Sequence, residues 1–335
     1  MNGGISAGQP GEGDNMKNQK SKKSDPTSRK LVLSIERLKP QTILAPTDFS
    51  GQSMAGVRYA MNLRLKFDSS LILLHVVEPT PPMGGLESVA LAQSDSEVAA
   101  WALQELAKLA RREAGGEKQV TNVVRMGKPF HEITTEAGKN KANLIVIATH
   151  GYTGVEHLLV GSTAERVVRH APCPVLTVPA RTPPRRPGKT HPFKIKKILV
   201  PIDLSDLSKA ALPWATLLAA QFKSKLVLLH VEEKLPIDYL LGRELRSHTM
   251  VPLMKQAEAE LEHLAGEQRK TTGANISVVV RDGKPFQEIC HAAKALGADL
   301  IVLTTHGHTG LKHVRLGSTA ERVVRHAQCP VLVVR

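Results

Sequence analysis

Two stretches of the chain carry residue types that could hold a phosphate. His150 to Val178 reads HGYTGVEHLLVGSTAERVVRHAPCPVLTV and His306 to Val334 reads HGHTGLKHVRLGSTAERVVRHAQCPVLVV; aligned without gaps, 21 of 29 positions match. Each stretch combines glycines (Gly151 and Gly161; Gly307 and Gly317) with hydroxyls (Ser162 and Thr163; Ser318 and Thr319). Glycine lets a backbone approach a ligand closely, and a helix N-terminus offers free N–H groups and a positive dipole end. Ser162 or Ser318 at a helix start presents both a hydroxyl and a backbone N–H. His150, His157, His170 and their copies, His306 among them, could also reach phosphate, with structural roles as the alternative. The glycines have a plainer alternative too: tight turns in which a missing Cβ permits positive φ.

Each stretch follows an apolar run, Asn143–Ala148 (NLIVIA) or Asp299–Thr304 (DLIVLT). Short β-branched runs bounded by polar residues and glycine read as buried strands. A second candidate cluster follows another short strand. Thr42–Ala45 leads into Pro46-Thr47-Asp48-Phe49-Ser50, and Lys197–Val200 leads into Pro201-Ile202-Asp203-Leu204-Ser205. A carboxylate at a strand's C-terminal edge can accept hydrogen bonds from hydroxyl or amino groups. The alternative is that Asp48 and Asp203 only cap the next helix or order the turn.

The remaining elements position these clusters. Ser53–Phe67 has a helical period, with Ser50 or Ser53 as its cap. Leu71–Val77 (LILLHVV) and Leu226–Val231 (LVLLHV) are nearly all apolar, as a parallel strand covered on both faces should be. The histidines inside them, His75 and His230, read as hydrogen-bonded core residues. Ser96–Arg112 is helical, and so is the segment of Met250, Met254, Ala257, Leu261 and Leu264. Gln119–Val124 and Asn275–Val280 are third strands. Gly127-Lys128-Pro129-Phe130 and Gly283-Lys284-Pro285-Phe286 then turn into helices, the proline suiting a first helical turn. Arg166, Arg169, Arg322 and Arg325 recur at helical spacing as an exposed or interface face. Five strands with helices between them, twice over, give an α/β chain of two doubly wound domains, each a five-stranded parallel sheet with helices on both faces. Ligands of such sheets bind beyond the C-terminal strand ends, where the strand order switches.

The length of 335 residues agrees with two domains. The boundaries read as a basic tail at 1–39, domains at 40–180 and 193–335, and a Pro-rich linker at 181–192. The tail lacks apolar periodicity and reads as disordered. Part of the net charge of +14 is local to the tail and to Arg181–Lys197. Such basic segments can touch nucleic acid or anionic surfaces; without interleaved aromatics they read equally as solvated connections. Three cysteines suit a reducing compartment and small buried hydrophobes, not a disulfide framework. No Cys/His cluster has metal spacing. No apolar run is long enough for a membrane span and no secretory leader is visible, so a cytoplasmic location is expected.

The P-T-D-F-S and P-I-D-L-S strand ends, the L-L-H-V strands and H-G-x-T-G-x6-G-S-T-A-E-R-V-V-R-H-A-x-C-P-V-L together resemble the universal stress protein family, over about Pro40–Ala180 and Phe193–Arg335. The resemblance implies an adenine nucleotide alpha hydrolase-like fold. It also implies pairing of the last strands, so that the two copies pack as a pseudo-dimer, with a further homodimer and unknown protein partners left open. In nucleotide-binding members the signature is G-x2-G-x9-G-S/T. Gly151, Gly161 and Ser162, and Gly307, Gly317 and Ser318, fill its last positions; Ala148 and Thr304 stand where its first glycine would be. By resemblance, Asp48 and Val76 would face adenine and ribose, with Pro46 and Thr47 beside them, and Ser162 and Thr163 would contact phosphates. Pro201, Asp203, Val231, Ser318 and Thr319 are the counterparts. Gly127 and Gly283 complete the candidate set. The implied function is a stress-response sensor or regulator that binds ATP or another adenine nucleotide, with Mg as its companion ion. Alternatives are a nucleotide-free scaffold, or an enzyme limited to slow ATPase or autophosphorylation activity. A Walker G-x-x-x-x-G-K-S/T loop is absent, which argues against efficient turnover.

Overall fold

The computed structural model describes residues 37–79, 87–114, 119–149, 161–180, 193–233, 243–305 and 316–335; the side chains of 87–94, 114 and 243–249 lie outside that description. Most of the basic tail, the Pro-rich linker and the central parts of both glycine stretches, including His150, Gly151, His306 and Gly307, also lie outside the described residues.

The first half runs β1 (Thr42–Pro46), α1 (Ser53–Phe67), β2 (Ser70–Val77), α2 (Glu87–Ala114), β3 (Val120–Met126), α3 (Pro129–Lys139), β4 (Leu144–Ala148), α4 (Ser162–His170) and β5 (Val175–Val178). The second runs β6 (Lys197–Pro201), α5 (Asp206–Lys209), α6 (Leu212–Phe222), β7 (Lys225–Glu233), α7 (Arg243–Thr272), β8 (Ile276–Gly283), α8 (Pro285–Leu296), β9 (Leu300–Thr304), α9 (Ser318–His326) and β10 (Val331–Val334). The strands form one ten-stranded sheet in the order β3-β2-β1-β4-β5-β10-β9-β6-β7-β8. Within each half every pair is parallel. The halves join where β5 and β10 run antiparallel, Leu176 opposite Leu332. Two short apolar end strands thus satisfy each other's backbone groups, which unpaired edges would leave open. The order reverses between β1 and β4, and again between β6 and β9, creating a crevice at each switch.

Burial follows the apolar runs. One core layer, under α1, α2, α6 and α7, continues across the junction; Met61, Leu106, Leu217 and Leu261 belong to it. The other lies under α3, α4, α8 and α9, with Ile133, Val167, Ile289 and Val323. Phe193 packs edge-on against Tyr59 (4.8 Å) and Phe222 (5.5 Å), tying the start of the second half to the helices of both.

Three helices differ from the sequence reading. Neither Ser50 nor Ser53 is the N-cap of α1: that position is Gln52, which makes no side-chain cap bond, while Ser50 Oγ accepts from the Ser53 amide (3.1 Å). Helix α2 starts at Glu87, nine residues before the expected Ser96. The counterpart of α1 is broken into α5 and α6. Pro213 explains the break: it has no N–H to offer the Lys209 carbonyl, and its ring would strike that oxygen.

Candidate functional site

At the end of β1 the chain makes a hydrogen-bonded turn. The Thr47 amide still donates to Leu74 O across to β2 (2.8 Å). The buried Thr47 hydroxyl meets the Ser53 hydroxyl (2.9 Å) and accepts from the Phe49 amide (3.0 Å). Asp48 is exposed, and its Oδ1 accepts from the Ser50 amide (3.0 Å). Phe49 adopts φ 63°, a left-handed conformation that costs a non-glycine residue about 1–3 kcal/mol unless its surroundings hold it. They do so here: the ring stacks on His75 at 4.5 Å and meets the edge of Trp101 at 5.5 Å. His75 Nδ1 in turn donates to the Thr47 carbonyl (2.8 Å); the ring is hydrogen-bonded as expected, but it is half-buried, not enclosed in the core.

The second copy repeats this turn with changes. Leu204 has φ 65°, and the Ser205 amide donates to Asp203 Oδ1 (3.1 Å). Ser205 Oγ caps α5 by accepting from the Ser208 amide (3.2 Å). His230 Nδ1 donates to the Ile202 carbonyl (2.9 Å). Ile202 has no hydroxyl, so the bonds made by the Thr47 side chain have no counterpart. Asp48 and Asp203 therefore both order their turns, and both stand at a strand's C-terminal edge beside Pro46 and Pro201.

The glycines at the starts of α4 and α9 do not serve positive φ. Gly161 has φ −55° and Gly317 φ −60°, open to any residue. Their amides bond the Thr149 and Thr305 carbonyls (2.6 and 2.7 Å). A Cβ on Gly317 would lie 3.0 Å from the Thr305 oxygen, a close approach that a side chain could make only if the Thr305 backbone gave by a few tenths of an ångström. Positive φ falls instead on Gly127 (146°) and Gly283 (147°), just before α3 and α8. There a Cβ would also crowd Glu132 Oε1 (2.9 Å) and Glu288 Cγ (3.0 Å). Ala148 ends β4 buried, and Thr304 ends β9 half-buried.

The starts of α3 and α4 come together around a groove lined by Glu78, Lys128, Pro129, Phe130, Ser162, Thr163 and Arg166. The Arg166 guanidinium lies over the Phe130 ring, 5.1 Å from its centre. Half-buried Val76 sits two residues before Glu78 on β2. Every lining residue has a counterpart of the same type in the second copy: Glu233, Lys284, Pro285, Phe286, Ser318, Thr319 and Arg322. The cation–ring stack recurs too, with Arg322 5.1 Å from the centre of Phe286. Val231 holds the place of Val76.

Two cations, two hydroxyls and two helix N-termini make a setting that fits a phosphate-bearing ligand. The groove brings Ser162 and Thr163 together with Lys128, Arg166 and Glu78, three residues that sequence reasoning did not place in the site. Their signal was present, since all three recur in the second copy. The expected interface role of the arginines falls to the other pair, Arg169 and Arg325, which meet Glu165 and Glu321 between the halves.

The cysteines are placed as hydrophobes. Burial pushes the Cys173 and Cys329 thiols up to about 12 and that of Cys290 up to about 11, which suppresses the nucleophilic thiolate. Among the described residues no group of three or more His, Cys, Asp or Glu side chains could hold a metal ion, and no helix is long and apolar enough to cross a membrane.

A family model described as "Universal stress protein family" matches residues 40–179 and again 194–335. A universal stress protein of Methanocaldococcus jannaschii is 38% identical over 143 residues, 41% of this chain and 80% of that protein. A universal stress protein of Mycolicibacterium smegmatis is 27% identical over 298 residues, covering 88% of this chain and 96% of the relative. Among solved structures, a universal stress protein from Archaeoglobus fulgidus superposes with TM-score 0.62 at 21% identity, covering 89% of this chain and 96% of that one. That last likeness concerns the fold alone.

Proposed function

We propose that this chain, which belongs to the universal stress protein family, binds an adenine nucleotide at the crevice of each half and acts as a nucleotide-responsive stress regulator rather than a dedicated catalyst. The observation that carries this reading is the groove of Lys128, Phe130, Ser162, Thr163 and Arg166, rebuilt with the same residue types in the second copy. Phosphates would lie across the N-terminus of α4, taking the Ser162 and Thr163 hydroxyls and free amides, with Lys128 and Arg166 neutralising their charge. The Phe130 ring lies against the Arg166 guanidinium, 5.1 Å from its centre, and would help hold it in place. Asp48 and Val76 would meet the ribose and base. Glu78 supplies the lining's one carboxylate, which suits a magnesium ion held mainly by phosphate oxygens.

Calorimetric titration of ATP, with native mass spectrometry for nucleotide that co-purifies, tests the reading. Arg166→Ala removes a charge-assisted contact worth about 1.5–3 kcal/mol, so affinity at the first site should fall roughly tenfold or more. A protein that neither binds ATP nor carries nucleotide would be a scaffold, and the proposal would be wrong. Phosphate release should stay near background throughout.

A further inference from the structure

Four side chains close a ring between α4 and α9. Arg169 Nη2 donates to Glu165 on its own helix (3.0 Å) and to Glu321 on the other (3.2 Å). Arg325 Nη2 mirrors it, donating to Glu321 (3.1 Å) and Glu165 (3.1 Å). Each arginine thus divides one nitrogen between two carboxylates, although guanidinium geometry favours a bidentate grip on one. Arg169 Nε is meanwhile buried without a hydrogen-bond partner. The ring is half-buried, with side-chain exposures of 26–36%, so bulk water screens it only in part.

The two glutamates are also close to the candidate sites. Glu165 and Glu321 lie in the first turns of α4 and α9. Three residues along a helix is about 4.5 Å of rise, so the backbone of each glutamate stands about one turn from the Ser162 or Ser318 start.

We propose that this shared Arg169–Glu165–Arg325–Glu321 ring couples the two grooves, so that an anionic ligand in one weakens binding in the other. The inference rests on nucleotide binding as proposed above. An anion at the start of α4 repels the Glu165 carboxylate and raises its demand for the two shared arginines. Arginine density drawn toward Glu165 leaves Glu321 less neutralised. That uncompensated negative charge, one turn inside α9, opposes a second anion at Ser318. The argument is symmetric, so the same penalty applies whichever site fills first, as linkage requires.

The test compares stepwise ATP affinities of the full chain with those of Glu165→Gln/Glu321→Gln, which keeps the side-chain shape but removes the charges and leaves each side chain one accepting oxygen in place of two. The double variant Arg169→Lys/Arg325→Lys serves as a second probe, since an ammonium lacks the planar fork. In the wild type, the second-to-first dissociation-constant ratio should exceed that of the glutamine variant by about fivefold or more, the usual size of a coupling effect. One ATP bound by the wild type and two by the variant would be the same result in extreme form. An equal or smaller wild-type ratio, or a single ATP bound by both proteins, overturns the coupling and leaves nucleotide binding standing. No binding by either protein overturns both.

Discussion

Gly56 presses against Ala148: a Cβ at residue 56 would stand 2.8 Å from the Ala148 amide nitrogen. Helix α1 therefore rides on the very end of β4, where the glycine stretch departs. A side chain here must push α1 off the sheet or displace the strand end. The second copy has Ala211 at the corresponding position, and its helix is interrupted there. Gly56→Val gains a few tenths of a kcal/mol in helix propensity, but overpacking costs about 1–3 kcal/mol, so the clash should win. The midpoint of thermal unfolding of the first half should fall by about 2–4 °C per kcal/mol. An unchanged or raised midpoint would show that α1 has slack against β4.

The strands were legible because both faces of the sheet are covered. Runs such as LIVIA and LIVLT leave no polar side to misread, and the ends of β5 and β10 had too few neighbours to stay unpaired. The repeat then pointed to the edge of the sheet where the candidate groove lies. The details that sequence concealed have physical causes of their own. Phe49 and Leu204 are not residues that advertise a left-handed turn; stacking on His75 holds the first of them. The groove draws Glu78 from just after β2, Lys128 from just before α3 and Arg166 from α4, so no linear spacing joins them. Pro213 did carry the signal for the broken helix, but the apolar residues around it keep helical spacing on both sides.

Alkaline pH should destabilise the fold through its thiols. Burial raises Cys173 and Cys329 from 9.0 to about 12, and for Cys173 the nearby Arg335 charge offsets only part of this. The unfolded chain ionises first, so its thiols bind fewer protons than the folded ones above pH 9. The contribution is intact below that value and is lost as pH rises toward 12, at up to about 1.4 kcal/mol per thiol per pH unit. Urea unfolding of wild type and Cys173→Ala between pH 8 and about 10.5 measures it, and the variant should show the shallower decline. Parallel curves would mean that the Cys173 thiol ionises as easily folded as unfolded.

Trp101 should report on the first site alone. The chain has two tryptophans; Trp101 is 51% exposed and packs on Phe49, next to Asp48, whereas Trp214 is buried at 6% exposure. The buried α2 residues Ala102, Leu106 and Ala110 correspond to Ala257, Leu261 and Ala265 of α7, which puts Gln256 where the second copy would need a matching indole. A ligand that engages Asp48 must disturb the Phe49 turn and, through it, the environment of Trp101. The first site should also be the tighter. It keeps the Thr47 hydroxyl that braces the turn and has compact Ala148, where the second has Ile202 and bulkier Thr304. A neutral hydrogen bond of the kind Thr47 makes is worth about 0.5–1.5 kcal/mol, or roughly twofold to tenfold in affinity. In an ATP titration the emission change should therefore saturate near the first equivalent, while calorimetric heat continues to the second. Trp101→Phe should abolish the optical signal and leave the heats intact. A signal that tracks the second equivalent would place the tighter site in the second half.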